Sequence, residues 1–175
     1  DEVGREVIVE DLKRLADHDA RVLKLDELRN QILSDGMHYE RSPMYHLRIL
    51  WLTEVLSQVG NPKIHDLVSH QLPRIRSALH KLSHPDGEIS QFNDSALGIY
   101  THYPLIQGQL GAWRLPKAGY YGFRSEAEDY LILDAGAIGP DYQPGHAHAD
   151  LLSFELSLAG NRVITDTGVG TYDLS

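Results

Sequence analysis

Apolar side chains recur every three or four positions through "VIVEDLKRLADHDARVLKLDELRNQIL": Val9, Leu12, Leu15 and Ala16, then Leu25, Leu28 and Ile32. That spacing predicts amphipathic helix. "RSPMYHLRILWLTEVLSQVG" carries its own boundaries, with Ser42 as N-cap, Pro43 at the first helical position and Gly60 at the stop. "NPKIHDLVSHQLPRIRSALHKLS" repeats the grammar with Asn61 and Pro62. Pro73 lies inside it; having no N–H and crowding the preceding turn, it predicts a kink or a split into two helices. Three or four helices joined by short loops result.

After about residue 97 the period changes. "GYYGFRS", "DYLILDAG", "LLSFELSLAG" and "NRVITDTG" are short β-rich runs separated by Gly, Asn and Asp. "SLAGNRVI" reads as a hairpin turning near Ala159-Gly160-Asn161. Residues 84–118 read as a connector, and no internal repeat is visible. Helices followed by strands give an α+β fold, with residues 1–97 helical and residues 98–175 the start of an antiparallel sheet.

Composition narrows the classes of chemistry. The 175 residues include no cysteine, which removes disulfides, thiolate metal sites and cysteine nucleophiles. A net charge of −9 argues against a general nucleic-acid binder, although a local basic groove can sit on an acidic protein. No apolar run is long enough to span a membrane. The opening "DEVGREVIVEDLK" carries no apolar leader. Without an initial methionine, and stopping at "TYDLS", the chain reads as an excerpt of something longer, so the missing leader says little.

Three stretches carry candidate chemistry. In "PGHAHADLLSFEL", His146 and His148 are two apart, so an extended backbone points both to one face. A hairpin over 151–166 would return Asp166 to the neighbourhood of His148, and imidazole with carboxylate makes two ligands of a zinc-type site. Asp150 is nearer and could equally cap a turn. Spacing alone favours the plainer alternative, imidazoles hydrogen-bonded to backbone where a strand begins. In "DGMHYERSPMYH", Glu40 and Arg41 are adjacent opposite charges, and Tyr45 sits in the first turn of a helix. The positive helix end favours a phenolate there, which suits a tyrosine acid or base. A half-buried tyrosine packed on Leu47 or Trp51 fits the pattern as well. The third stretch, "HPDGEISQFNDSA", is a polar loop turning at Asp86-Gly87 that lines a groove or merely connects the halves. Glycine-rich phosphate loops, G-x-S-x-G elbows and H-E-x-x-H helices are absent from the sequence.

In order and spacing, "DGMHYERSPMYH", "PDGEISQFNDSA" and "PGHAHADLLSFELSLAGNRVITDTG" resemble the heparinase II/III family of polysaccharide lyases, whose relatives include oligoalginate lyases. The resemblance implies an incomplete α/α toroid followed by an antiparallel β-sandwich. It implies β-elimination on a uronic-acid-containing polysaccharide, with Tyr45 protonating the leaving oxygen and His146 acting at the C5 proton. His148 and Asp166 would be ligands of a structural zinc, with the third ligand beyond Ser175. Glu40, Arg41 and Tyr172 are the substrate-contact candidates, Tyr172 falling slightly later than the family's groove tyrosine. No Asn–His pair precedes Tyr45 to neutralise the substrate carboxylate, and Asn30 falls mid-helix. The resemblance equally admits a relative that binds carbohydrate or serves surface-polysaccharide assembly without cleaving. It points to an acidic polysaccharide as partner and to the periplasm or cell envelope. An unpaired last strand would favour self-association.

Overall fold

The computed structural model describes residues 25–98, 108–137 and 150–167. The helical pattern over residues 9–24, and the candidates His146, His148 and Tyr172, lie outside the described residues. Three helices, α1 (Leu25–Gln31), α2 (Pro43–Ser57) and α3 (Pro62–Leu82), precede five strands. Both longer helices start where their caps require. Ser42 is extended and its Oγ accepts the Tyr45 N–H, while Asn61 Oδ1 accepts the N–H groups of Lys63 and Ile64. Each cap satisfies donors that a first helical turn cannot.

Pro73 does not split α3, which is continuous from Pro62 to Leu82. The reason lies in its buried face. Ile64, Leu67 and Val68 before the proline, and Ile75 and Leu79 after it, enter one core with Met44, Leu47, Leu50 and Leu56 of α2. Burying such side chains contributes roughly 1.5–3 kcal/mol each. That outweighs the cost of about 3 kcal/mol for one interior proline.

A structural repeat that the sequence does not reveal follows α1 and α3. After α1, Ile32 bridges His38, Leu33 N–H donates to the Met37 carbonyl, and Gly36 N–H donates to the Leu33 carbonyl. After α3, Ser83 bridges Ile89, His84 N–H donates to the Glu88 carbonyl, and Gly87 N–H donates to the His84 carbonyl. Both turns place an Asp-Gly pair with glycine at φ 92°. Asp35 accepts the Met37 N–H as Asp86 accepts that of Glu88. The two turns dock on different parts of the sheet. Asp35 Oδ2 takes the N–H groups of Lys117 and Ala118, and Asp86 takes the Arg162 guanidinium at 2.7 Å.

A Cβ on Gly36 would lie 2.5 Å from the Arg74 carbonyl oxygen, in addition to its left-handed φ. Gly36→Ala should therefore cost at least about 1–2 kcal/mol in urea unfolding of the full-length protein. A neutral substitution would show that the turn does not press on α3.

The strands β1 (Gly111–Leu115), β2 (Tyr120–Arg124), β3 (Tyr130–Asp134), β4 (Phe154–Leu158) and β5 (Asn161–Ile164) form one antiparallel sheet in sequence order. The expected hairpin is β4–β5, with Ala159 and Gly160 at positive φ. The connector reading of residues 84–118 is corrected: it contains β1, "GAWRL". Only two of its five side chains are buried, so five residues gave little alternation to read.

The inner face of the sheet brings Trp113, Leu115, Tyr120, Tyr130 and Ile132 against Met37, Ala78, Leu82 and Phe92. A core shared between helices and strands fixes one layer on the other. On β4 the alternation is reversed: Glu155 and Ser157 are fully buried, while Phe154 and Leu158 are exposed. With Tyr121, Phe123, Leu131 and Ile164, these give the outer face an apolar surface.

Candidate active site

Tyr45 is presented by the first turn of α2, half-buried against the helical core. Its phenol donates to Asp94 Oδ2 at 3.3 Å. Asp94 is held there by the helix cap itself. Ser42 Oγ donates to the Asp94 carbonyl at 2.9 Å and lies 3.0 Å from Ser95 Oγ, which accepts the Met44 N–H. The segment is bent by Asn93, whose φ is 55°. Among the described residues, a helix end and a carboxylate act on the phenol. The helix end favours phenolate by about 0.3–1 kcal/mol. A unit negative charge about 4 Å away disfavours it by up to ~4 kcal/mol at an effective dielectric of about 20. The carboxylate dominates.

Arg41 and Glu40 lead into this helix. Glu40 Oε1 accepts the Tyr39 hydroxyl. Arg41 has a φ of 64°, and its guanidinium donates to the Ala137 carbonyl. Its own carbonyl accepts the Tyr120 hydroxyl at 2.7 Å, and Tyr120 in turn accepts from Asn93 Nδ2. Burial pushes the Tyr120 phenol well above its ordinary value. It serves as a fixed neutral bridge. Asn93 N–H donates to Asp150, so that this carboxylate braces the loop. Asp134 lies in the same polar group, and burial, reinforced by the Asp150 charge, pushes it up to about 6.

A second buried network surrounds Asp166. Glu155 Oε2 lies 2.5 Å from His84 Nε2, and His84 Nδ1 lies 2.7 Å from Ser157 Oγ. Glu155 Oε1 accepts the backbone N–H groups of Gln91 at 2.8 Å and Asp166 at 3.1 Å. The Asp166 carbonyl accepts from Gln91 Nε2, and Arg162 lies 3.7 Å from Glu155. Burial lowers the His84 pKa despite the Glu155 hydrogen bond that raises it. The partners assign a neutral ring, with Nε2–H donating to Glu155 and Nδ1 accepting from Ser157. The loop "HPDGEISQFNDSA" thus ties the helical layer to β4 and β5 on one side and holds Asp94 under Tyr45 on the other.

The structure brings Glu40, Arg41 and Tyr45 to one helix start and places Asp166 at the exit of β5. Among the described residues no group of three acidic, His or Cys side chains could hold a metal ion. His38 and His46 are buried. His46 Nδ1 accepts the His38 N–H, and its Nε2 donates to the Ile75 carbonyl. Sequence reasoning missed Asp94, Glu155 and His84. The one available signal was the Asn-Asp-Ser cluster after the Asp-Gly turn, rich in side chains that bond to backbone. Among the described residues, no helix is long and apolar enough to cross a membrane.

Two family models match the chain: Heparinase II/III N-terminus over residues 18–103, and Heparinase II/III-like, C-terminal over residues 107–173. A heparin-sulfate lyase of Pedobacter heparinus is 25% identical over 83% of the chain, which spans 27% of that protein. The crystal structure of a heparan sulfate lyase from the same organism matches 86% of the chain at a TM-score of 0.67 and 21% identity, over 28% of its own length. A crystal structure of Heparinase III matches 84% at a TM-score of 0.65 and 21% identity, over 30% of its length. The chain thus spans little more than a quarter of its curated relative and shares with the solved structures the order of helices followed by a five-stranded antiparallel sheet. With both halves matched in order by one family's models, the chain belongs to the heparinase II/III family.

Proposed function

We propose that the whole protein is a polysaccharide lyase that cleaves a uronic-acid-containing polymer by β-elimination. The observation that carries this reading is the Tyr45 phenol, presented at the first turn of α2 and hydrogen-bonded to Asp94. The carboxylate keeps the proton on the phenol, and a protonated phenol can supply it to a leaving oxygen. In the reaction, the C5–H bond breaks and its proton passes to His146. The C4–O4 bond breaks as the C4–C5 double bond forms, and Tyr45 protonates O4. Glu40, Arg41 and Tyr172 are the proposed substrate contacts. His148 and Asp166 would hold a structural zinc, whose preference for imidazole and carboxylate donors they match. Its contribution would be to tie the strand after His146 to the end of β5.

The finer architecture belongs to the same proposal. The helices would form part of an incomplete α/α toroid, and the sheet would be one layer of a β-sandwich. The apolar outer face of Tyr121, Phe123, Leu131, Phe154, Leu158 and Ile164 supports a second layer there. We place the protein in the periplasm or cell envelope, with an acidic polysaccharide as partner. Self-association through a sheet edge would appear as concentration-dependent sedimentation.

The test is ultraviolet absorbance of unsaturated uronate product, with full-length protein on a panel of uronate polymers. Tyr45→Phe should lower kcat by at least about 100-fold, the lower end for a general acid. Wild-type turnover in that variant would remove Tyr45 from the chemistry. No product from any polymer, with binding retained, would point to a non-cleaving relative.

A further inference from the structure

We propose that Asp94 is the positioning residue for Tyr45, its carboxylate fixing the direction of the phenol O–H and keeping Tyr45 in its proton-donating form. The inference deepens the lyase reading and rests on it for its catalytic meaning. It stands on how the contact is built. The Tyr45 hydroxyl and Asp94 Oδ2 are 3.3 Å apart, and the backbone of each is fixed by the same serine. Ser42 Oγ accepts the Tyr45 N–H and donates to the Asp94 carbonyl. Ser95 Oγ closes the unit on the Met44 N–H. Neither residue can move along α2 without breaking the cap, so the donor and the carboxylate stay in register.

Competing charges on the same elements are engaged elsewhere. Glu54 is taken by Arg76, Asp86 by Arg162, and Glu40 accepts from Tyr39. Asp150 braces Asn93 from beneath the loop, and Arg48 is exposed one turn further along α2. Among the described residues, Asp94 is the carboxylate that the phenol meets. A tyrosine with a carboxylate at hydrogen-bonding distance is a poor free phenolate, because the two like charges would face each other. It holds its proton at neutral pH until an oxygen developing negative charge takes it. Once substrate enters, the phenol can turn its proton to the leaving oxygen, and the Asp94 charge then favours reprotonation of the phenolate from solvent for the next turnover.

The experiment uses the full-length protein and reads Tyr45 ionisation as the phenolate absorbance difference between wild type and Tyr45→Phe across alkaline pH. Wild-type Tyr45 should ionise above the ordinary phenol value of about 10. Asp94→Asn keeps an acceptor but removes the charge, and should bring that ionisation down by about one unit. Asp94→Glu should keep it high. In turnover, the alkaline limb of the kcat/KM profile should fall with Asp94→Asn by the same shift, which a merely structural loss would not produce. An unchanged Tyr45 ionisation in Asp94→Asn overturns the proposal. So does a wild-type ionisation at or below about 10, a reading that needs no variant of Asp94 to fold. If no polymer is cleaved, the lyase reading fails, while the phenol titration still decides what Asp94 does.

Discussion

Glu155→Ala should destabilise the protein by at least about 2–3 kcal/mol, the loss expected when several donors lose one shared acceptor. Glu155 is fully buried and makes three attachments at once: His84 Nε2 on one oxygen, and the Gln91 and Asp166 N–H groups on the other. Truncation leaves two part-buried backbone donors and a buried imidazole N–H without their acceptor, and takes the nearest carboxylate from Arg162 Nη1. Leaving a buried donor unmade costs more than the net worth of the bond it had. Glu155→Gln, which keeps one carbonyl acceptor, should fall between. Equilibrium urea unfolding of the full-length protein measures both, and a loss below about 1 kcal/mol for the alanine variant would mean that water replaces the carboxylate freely.

His46 gives the second large effect, through pH. Burial lowers its pKa from 6.5 to about 4, the hydrogen bond to Ile75 opposing that only in part. The geometry agrees: with Nδ1 accepting from His38 N–H and Nε2 donating to the Ile75 carbonyl, a second ring proton would point at an N–H. Because the folded value lies below the unfolded one, the unfolded chain binds the proton first. The stabilisation is complete above about pH 6.5 and is lost as pH falls toward 4, a total of about 3 kcal/mol. Asp134 runs the other way. Raised to about 6, it opposes folding at neutral pH and ceases to do so as pH falls. The two windows overlap, so the wild-type stability curve alone would conceal both. The clean measurement is the gap between wild type and His46→Asn, which should narrow as pH falls from 6.5 to 4. A constant gap would mean that His46 titrates normally.

Much of the helical half was legible because its signals are local. Ser42-Pro43 and Asn61-Pro62 specify where α2 and α3 begin, and the alternating runs specify β2, β3 and the β4–β5 hairpin. What was illegible depends on partners far away in the chain. Pro73 reads locally as a break, yet the core on both sides of it holds the helix together. On β4, His84 and Arg162 draw Glu155 and Ser157 inward, which leaves Phe154 and Leu158 exposed, and His84 is not near in sequence. The repeated turn is carried by backbone hydrogen bonds and one Asp-Gly pair, with little else shared in side chains. In the candidate site, Tyr45 could be picked out by its place in the first turn. Asp94 could not, since nothing in the sequence aims it at residue 45.

The paired Asp-Gly turns also have a mechanical consequence. Asp35 fastens the helical layer to the β1–β2 turn, and Asp86 fastens it to β5, at the opposite edge of the sheet. A plate held at one point can swivel, whereas a plate held at two separated points resists rotation about either. The helices and the sheet should therefore move as one rigid body, so that a load applied to either layer is shared by both.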